Sequence, residues 1–286
     1  MAPPKHTVVV GSRSISVTNP DKVLYPDAGV TKVMVIAYYV ALASRLLPLL
    51  RRRPVTRIRW PGGVNEPPFF EKRLPASAPA WIDRVELMHS DGPMTYPYAH
   101  EAAALAWFAQ QNALELHVPQ WRSHGGDRRV DRLVVDLDPG PGAGLSECIE
   151  VASLLRAWMS ADGIESVPVT SGSKGLHLYG RWRPSEHAVS SSDYARNLAV
   201  RAERERPSLV TSTMAKAARP QRVLIDWSQN NPAKTTVTPY SLRGGRQPNV
   251  AAPRTWDELS AGTVTQLTMS QVLGRLDQPD PMDAVG

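Results

Sequence analysis

Apolar residues recur at helical spacing in four stretches of the chain. In the first stretch, Ile36, Val40, Ala43 and Leu47 follow one another at three- and four-residue steps, which places them on one face of a helix. Thr31, just before them, is a candidate N-cap. The periodicity predicts helices over the following segments: Thr31–Leu50, His100–Leu116, Leu145–Asp162 and Ser191–Arg206.

Short apolar runs that read as strands lie between and after the last three of these stretches. They predict strands over the following segments: Arg132–Asp138, Ser166–Thr170, Leu176–Gly180, Arg222–Trp227 and Lys234–Tyr240. Helices interspersed with strands in this way indicate a mixed α+β fold. Because no repeat and no long Gly/Ser linker interrupts the chain, we expect a single domain over residues 1–286, with a frayed tail over about residues 277–286.

The composition narrows the class of protein. The 33 Lys and Arg residues outnumber the 27 Asp and Glu residues, and 26 of the basic residues are arginine, which binds phosphate oxygens through paired hydrogen bonds. The single cysteine, Cys148, excludes an intramolecular disulfide and a cysteine-based zinc site. The longest apolar run, Val33–Ala43, has 11 residues and is too short to span a bilayer. We therefore expect a soluble cytoplasmic protein with no membrane partner.

Five arginines fall within nine residues near the end of the first predicted helix. Two interpretations fit this cluster equally well on charge alone. It can be the solvated end of the helix, where cations are favoured by the helix dipole, or a nucleic-acid surface. The cluster consists of Arg51, Arg52, Arg53, Arg57 and Arg59.

The segment Leu133–Gly140 combines an apolar strand with two acids, Asp136 and Asp138. Because side chains alternate along a strand, both carboxylates share one face, and Val135 and Leu137 point into the core. Two like charges this close need a proton or a cation between them, and oxygen ligands suit Mg²⁺ or Mn²⁺. A polar strand end that only caps a loop is the alternative interpretation.

The predicted strand Arg222–Trp227 repeats this order and delivers a third acid, Asp226. Three carboxylates on two strand ends can hold two divalent ions at the ~4 Å spacing used for in-line phosphoryl transfer. In this hypothesis one ion activates a hydroxyl nucleophile, and the other neutralises the leaving pyrophosphate.

A glycine-containing loop over residues 171–175 follows one predicted strand and precedes the next. Glycines let backbone N–H groups approach an anion closely, and Ser171, Lys174 and His177 add a hydroxyl, a cation and an imidazole. This mixture of groups suits a triphosphate. A core position for His177 is the alternative, and Ser171 with Lys174 also matches the nucleophile motif of penicillin-binding enzymes, although that serine opens a helix.

Seven motifs, in order along the chain, resemble the polymerase domain of bacterial ligase D, a branch of the archaeo-eukaryotic primase superfamily. The resemblance implies an α+β primase-polymerase fold with two β-sheets and flanking helices around a central cleft, and an RRM-like catalytic sheet. It also implies template-directed nucleotidyl transfer, with ribonucleotides preferred, in end joining and gap repair. The motifs are Thr18–Pro26, Pro68–Lys72, Leu116–Trp121, Asp136–Gly140, Thr170–Tyr179, Asp226–Asn230 and Pro239–Gly244.

The resemblance also implies a role for each matching residue. The catalytic metal ligands are Asp136, Asp138 and Asp226, holding two divalent cations, Mn²⁺ or Mg²⁺. The nucleotide contacts are His117, Ser171, Lys174, His177, Gln229 and Arg243. The DNA contacts are Phe69 and Phe70 for template bases, Arg219 for the primer strand, and Asn19, Lys22 and Lys32 for a downstream 5′-phosphate.

The expected partners are therefore DNA with a 3′ primer terminus and a downstream 5′-phosphate, together with NTP or dNTP substrates. The resemblance adds Ku and a separate DNA ligase, and it implies a nucleoid-associated location. Whether the chain is a free-standing paralogue or a domain of a larger ligase stays open, as does end joining against excision-gap repair. Two other functions remain as alternatives: a non-catalytic module that binds DNA ends, and a true primase that starts chains without a primer.

Overall fold

A computed structural model describes residues 6–125 and 127–285 of the chain. The helices are α1 (Lys32–Ala41), α2 (Ala43–Leu50), α3 (Ala102–Gln110), α4 (Leu145–Ala161), α5 (Ser191–Glu205), α6 (Trp256–Ser260) and α7 (Met269–Leu273). The strands are β1 (His6–Val10), β2 (Arg13–Val17), β3 (Val23–Tyr25), β4 (Val30–Thr31), β5 (Thr56–Arg59), β6 (Phe69–Glu71), β7 (Arg84–His89), β8 (Gly92–Pro97), β9 (Ala113–Val118), β10 (Trp121–His124), β11 (Asp127–Val130), β12 (Arg132–Pro139), β13 (Ser166–Thr170), β14 (Leu176–Arg181), β15 (Val210–Thr211), β16 (Val223–Asp226), β17 (Thr236–Val237) and β18 (Ala252–Pro253).

Two larger sheets organise this mixed α+β fold. One has six strands in the order β15-β16-β12-β14-β13-β18, antiparallel except for the β15–β16 pair. The other has four strands in the order β17-β9-β5-β6. In the described part of the chain, four two-stranded hairpins accompany them: β1-β2, β3-β4, β7-β8 and β10-β11. The prediction of two sheets was therefore incomplete, because these hairpins form small sheets of their own.

The six-stranded sheet separates two hydrophobic clusters. On one face, alternate residues of β12 such as Val135 and Leu137 pack with α4 and α5. On the other face, Val134 and Tyr179 belong to the larger cluster that also contains α1, α3 and the four-stranded sheet. The Tyr179 hydroxyl donates to the Val237 carbonyl at 2.7 Å and so ties the two sheets together. A side chain on this second face of β12 therefore lies on the side of the four-stranded sheet.

Two of the predicted helices need correction. The first is broken at Leu42, and Thr31 forms no side-chain cap. The second ends at Gln110, because Asn112 adopts a left-handed conformation (φ 59°) and the chain continues as β9, which pairs with β5. Periodicity was misleading here because Leu114 and Leu116 are buried in a strand that is covered on both faces.

The remaining predicted elements match the structure closely. Helices α4 and α5 and strands β12, β13, β14 and β16 lie within one or two residues of their predicted bounds. The last predicted strand is correct only at Thr236–Val237, where it pairs with β9. The predicted frayed tail is instead packed: a 3₁₀ turn over Pro281–Ala284 buries Met282 in the larger core. Hydrogen bonds from Tyr240 to Asp280 and from Arg45 to the Leu276 and Gln278 carbonyls also hold this segment.

The five arginines of the cluster differ in burial, with Arg59 intermediate, which neither interpretation anticipated. Arg51 and Arg52 are exposed at the end of α2, but Arg53 and Arg57 are almost fully buried. Arg53 pairs with Asp131 at 2.5 Å, and Arg57 pairs with Glu71 at 3.0 Å. Buried arginines of this kind need such partners, because an unpaired buried charge is costly.

Among the described residues, no helix is by itself long and apolar enough to cross a membrane, and α1 and α2, which together would have the length and composition, are bent by 76° at the break between them.

Candidate active site

The three predicted acidic residues lie on two adjacent strands of the six-stranded sheet. Antiparallel pairing places Asp136 of β12 directly opposite Asp226 of β16 and opposite His177 of β14 on the other side. Asp138 follows two residues later on the same face of β12. This is the face that carries Val134 and Tyr179 toward the four-stranded sheet. The apolar packing between the two sheets thus gives way to a row of carboxylates at the end of β12.

The two acids of β12 have different surroundings. Asp136 is buried, and its Oδ1 lies 3.2 Å from Nε2 of the equally buried His177. The side chain of Asp138 reaches solvent at the strand end, but its carboxyl group is partly desolvated. This desolvation, and then the negative charge of Asp136, raises the pKa of Asp138 to about 6. Burial and the repulsion from Asp136 therefore outweigh the opposing charge of Arg219 at this carboxyl.

The third acid is held by its own turn. Asp226 caps the 3₁₀ turn Trp227–Asn230: its Oδ1 accepts from the backbone N–H of Ser228 at 3.0 Å, and its Oδ2 accepts from Gln229 Nε2 at 3.0 Å. Gln229 also accepts a hydrogen bond from the Thr236 hydroxyl of the four-stranded sheet. Gln229 thus orients this carboxylate and links it to the neighbouring sheet.

The donor set has the chemistry of a hard-cation site. Asp136, Asp138 and Asp226 offer carboxylate oxygens, which Mg²⁺ and Mn²⁺ prefer. Within residues 6–125 and 127–285, no three His, Cys, Asp or Glu side chains converge tightly enough to share an ion as they stand. The repulsion between Asp136 and Asp138 and the oxygen donors of all three acids fit divalent cations. To bind an ion, Asp226 would have to give up its hydrogen bonds with Ser228 and Gln229.

The raised pKa of Asp138 predicts that removing its charge stabilises the cation-free protein. A carboxyl whose pKa rises on folding penalises the folded state above its folded pKa, and the penalty vanishes below its unfolded pKa. We expect Asp138→Asn to raise the melting temperature in EDTA at pH 8 and to have no such effect near pH 3. Asp91→Asn, at an exposed hairpin turn, is the control. A lower melting temperature for Asp138→Asn at pH 8 would contradict a penalty from the charged form of Asp138.

The predicted phosphate loop is tightly braced. The Ser171 hydroxyl accepts from the backbone N–H groups of Ser173 and Gly175, and Gly172 N–H donates to the Gln266 side chain at 2.6 Å. These three backbone amides therefore already have hydrogen-bond partners within the protein, which corrects the expectation that they are free for an anion. Lys174 is exposed at the tip, and it is the cation this loop offers to a ligand.

Two glycines of this loop permit close approach to neighbouring strands. A Cβ on Gly175 would lie 2.1 Å from the Leu137 carbonyl oxygen, and a Cβ on Gly172 would lie 2.5 Å from Cγ of Arg243. Gly172 also has a positive φ of 72°, which other residues rarely adopt. The glycines thus bring the loop against β12 and against Arg243.

Arg243 and His117 meet at a residue that the sequence analysis did not select. Glu115 lies two residues before His117 on β9, and its carboxylate contacts both side chains: Oε2 is 2.7 Å from His117 Nε2, and Oε1 is 3.3 Å from Arg243 Nε. The alternation Leu-Glu-Leu-His over residues 114–117 is the same signal that identified Asp136 and Asp138. It could have revealed Glu115 as well.

The predicted template contacts lie on the other sheet. Phe69 and Phe70 stand on β6, an edge strand, and are 54% and 63% exposed. This exposure excludes a role as core aromatics. Arg219 lies nearer the acids, and its backbone carbonyl packs against Gly140. Its positive charge opposes the rise in the pKa of Asp138, but burial and the charge of Asp136 outweigh it.

The predicted 5′-phosphate residues form a cationic cluster at the start of α1. Lys32 is buried and donates to the Thr18 carbonyl at 2.7 Å, and Lys22 donates to the Pro61 carbonyl. Burial, and then the charges of Lys22 and Arg59, lower the pKa of Lys32 to about 8. Lys32 is therefore not an ordinary solvated surface lysine.

The backbone amides at the start of α1 already have hydrogen-bond partners within the protein. Lys32 N–H and Val33 N–H donate to the carbonyls of Lys22 and Pro20 at 2.9 and 3.0 Å. Asn19, with a positive φ of 48°, shapes the turn that brings these carbonyls to the helix. Any anion at this place would depend on the lysine side chains.

The profile of the family "LigD, primase-polymerase domain" matches residues 31–282. The chain is 49% identical over 265 residues to "Multifunctional non-homologous end joining protein LigD" of Mycolicibacterium smegmatis, covering 92% of this chain and 35% of that protein. It is 31% identical over 261 residues to "Bifunctional non-homologous end joining protein LigD" of Bacillus subtilis, covering 91% of this chain and 42% of that protein. The chain thus spans well under half the length of these relatives.

A solved structure gives the same result for the fold. The "Polymerase Domain from Mycobacterium tuberculosis Ligase D in complex with DNA" superposes with a TM-score of 0.89 at 46% sequence identity, covering 95% of this chain and 97% of that one. The fold is that of a primase-polymerase domain, a class of nucleotidyltransferase. Within that class, the chain belongs to the LigD primase-polymerase domain family.

Proposed function

We propose that this chain is a template-directed nucleotidyltransferase that extends primer 3′ ends at gaps and double-strand breaks in DNA. The observation that carries the proposal is the strand register of the six-stranded sheet, which places Asp226 and His177 opposite Asp136 on the face that bears Asp138. Cations beside these acids would meet a triphosphate held by the neighbouring Lys174 and Arg243.

The residues of the site divide the work between them. Asp136, Asp138 and Asp226 would hold two divalent cations, which supply activation of the primer hydroxyl and charge neutralisation at the phosphates when bound. His177 orients Asp136 from the next strand, and Gln229 orients Asp226. Lys174 and Arg243 would bind the triphosphate oxygens, since Arg and Lys are the side chains that suit phosphate.

Elements outside the six-stranded sheet would seat the DNA. The exposed Phe69 and Phe70 offer ring faces on which template bases can stack. Arg219 would contact the primer strand, and the Lys22–Lys32 cluster would bind the downstream 5′-phosphate. The known complex of the Mycobacterium tuberculosis domain with DNA supports this assignment of DNA as substrate.

The names of the relatives support a role in non-homologous end joining. A protein in this role would act on DNA of the bacterial nucleoid. In that role the chain would act with Ku and a DNA ligase activity supplied by another protein or by another part of the same polypeptide. Filling of excision gaps uses the same chemistry and the same 5′-phosphate.

The test is a comparison of three reactions with purified protein: extension of a primer on a gapped template, synthesis on a template without primer, and DNA binding without synthesis. Each is run with Mn²⁺ and with Mg²⁺. We expect extension at the gap and negligible primer-free synthesis. Primer-free products would identify a true primase, and DNA binding without any synthesis would identify a non-catalytic end-binding module.

We further predict that ribonucleotides are incorporated more efficiently than deoxyribonucleotides in gap filling. His117 stands half-buried in the nucleotide region, where a hydrogen bond with the 2′-hydroxyl would be lost for a deoxynucleotide and would leave the protein group unpaired. The measurement is kcat/KM for each matched NTP and dNTP pair on one gapped duplex. Equal values for the two sugars would refute the preference.

A further inference from the structure

Glu115 is a buried carboxylate that contacts two candidate nucleotide-binding residues at once. Its side chain is only 8% exposed. Oε1 accepts from the Gly244 backbone N–H at 2.9 Å and lies 3.3 Å from Arg243 Nε, and Oε2 lies 2.7 Å from His117 Nε2. The carboxylate therefore joins β9 to the segment that carries Arg243.

Contacts other than the one with Glu115 also hold the segment around Arg243. The Tyr25 hydroxyl donates to the Arg243 carbonyl at 2.8 Å, and Arg243 N–H donates to the Asn249 carbonyl at 2.8 Å. A Cβ on Gly244 would lie 1.9 Å from the Trp60 ring, so the backbone there packs directly on the indole. Because these contacts hold the backbone, we expect a change at Glu115 to affect mainly the orientation of the Arg243 and His117 side chains and the protonation of His117.

The charge of Glu115 determines which ring nitrogen of His117 carries the proton. Burial would raise the pKa of Glu115, but the hydrogen bond with His117 and the charge of Arg243 outweigh it and lower the pKa. An ionised carboxylate can only accept hydrogen bonds, so the proton in its contact with His117 must lie on Nε2. Arg243 already neutralises the carboxylate, and a neutral imidazole keeps the buried cluster free of excess charge.

We propose that Glu115 is a positioning residue that fixes His117 as the neutral Nε2–H tautomer and thereby selects the sugar of the incoming nucleotide. In this tautomer Nδ1 is an acceptor, which suits a sugar hydroxyl and is unsuited to a phosphate oxygen, itself an acceptor. Glu115 also engages Arg243 through Nε, which leaves the guanidinium nitrogens at the end of the side chain for phosphate. The proposal rests on the proposed function and divides the site: Arg243 takes phosphate, and His117 takes a sugar hydroxyl.

The first experiment reads the tautomer directly and needs no catalysis. The full chain is labelled with ¹⁵N-histidine, and long-range ¹H–¹⁵N correlations at pH 7.5 are recorded for the wild type, for Glu115→Gln and for His117→Gln, which assigns the signals. We expect the Nε2–H pattern in the wild type. We expect an Nδ1–H population in Glu115→Gln, because the glutamine amide can donate to Nε2. An Nδ1–H tautomer or an imidazolium in the wild type overturns the proposal.

The second experiment measures equilibrium binding of ATP and dATP to the protein in complex with a gapped duplex that has a templating thymine and a chain-terminated primer. We expect Glu115→Gln to reduce the ATP-over-dATP affinity ratio about tenfold or to unity, because the His117 ring is then no longer held with Nδ1 as the acceptor for the 2′-hydroxyl. An unchanged ratio overturns the role in sugar selection.

The control is Glu258→Gln. Glu258 also accepts from two cations, Arg254 at 2.9 Å and Arg275 at 2.7 Å, and from a backbone N–H, that of Thr255 at 2.8 Å. It tests whether loss of a carboxylate in an ion-pair network suffices to change nucleotide selection, and we expect its ratio to equal that of the wild type. Thermal unfolding of both variants verifies that they are folded. Because neither tautomer nor affinity requires turnover, a protein that shows both effects but extends no primer would contradict the proposed function alone.

Discussion

Replacing Asp136 or Asp138 by alanine is expected to abolish primer extension while DNA binding persists. The two carboxylates stand on one face of β12, with Asp226 opposite Asp136, and each loss removes a ligand of the proposed cations. If the cations supply several kcal/mol of transition-state stabilisation, extension should fall by roughly a thousandfold or more, at about 1.36 kcal/mol per factor of ten. The measurement is single-turnover extension of a gapped duplex with Mn²⁺, beside binding of the same duplex.

The matched control for these variants is Asp277→Ala, which removes an exposed acid from the C-terminal segment. It should extend primers as the wild type does. Binding of the duplex should stay within a few-fold for all three variants, because carboxylates do not contribute attractive contacts to phosphates. Substantial extension by Asp136→Ala, with contaminating polymerases excluded, would contradict the two-metal assignment.

Removing the two lysines at the start of α1 is expected to erase a preference for gaps with a downstream 5′-phosphate. Lys32 is buried beside Lys22 and Arg59, and like charges brought this close favour an anion between them. A charge-assisted hydrogen bond contributes about 1.5–3 kcal/mol, so the wild type should bind the phosphorylated gap about 10- to 100-fold more tightly than the hydroxyl-ended gap.

The variants for this test are Lys22→Ala and Lys32→Met, the latter retaining the length of the buried side chain. The double variant should bind both gapped duplexes equally and still extend a simple primer end. Arg183→Ala, which removes one exposed charge from a 3₁₀ turn outside the site, serves as the control and should keep the preference. Equal binding of both duplexes by the wild type would show that the cluster does not read this phosphate.

The same preference should depend on pH. The pKa of Lys32 is lowered to about 8, so its ammonium is present below that pH and is lost above it. A bound phosphate favours the charged form and moves the transition upward, while the phosphate itself is already a dianion above about pH 7. The preference should therefore be larger at pH 7 than at pH 9.5, and Lys32→Met should remove most of that change.

Much of the fold followed from local patterns in the sequence. The bounds of α4 and α5 were predicted closely, because their helical period matches burial against one face of the sheet. The bounds of β12 and β14 were predicted closely, because each is a short apolar run that ends at turn residues, as is typical of a strand buried on both faces. The helix predicted over His100–Leu116 was too long, because Leu114 of β9 also continues the helical spacing of Ala103 and Trp107, and this spacing obscured the short alternation in β9. Packing against α3 and pairing with β5 decided that segment.

The candidate site shows the same division. That Asp136 and Asp138 share a face is a property of the sequence, because strand side chains alternate with a period of two. That Asp226, some 90 residues later, lies opposite Asp136 depends on the register of β12 and β16, which no local signal specifies. The contact of Glu115 with Arg243, across 128 residues, arose in the same way.

Charged residues mark the limit of what the sequence determined by itself. Composition and spacing indicated a basic protein with carboxylates at strand ends, and the motifs indicated its family. Whether a given charge is solvated or buried depends on partners from other segments. Arg53 is buried in an ion pair with Asp131, and Lys32 is buried where its ammonium donates to the Thr18 carbonyl beside the turn at Asn19. Only the tertiary structure brings such partners within hydrogen-bond distance, and only there does the low dielectric of the interior change what each charge can do.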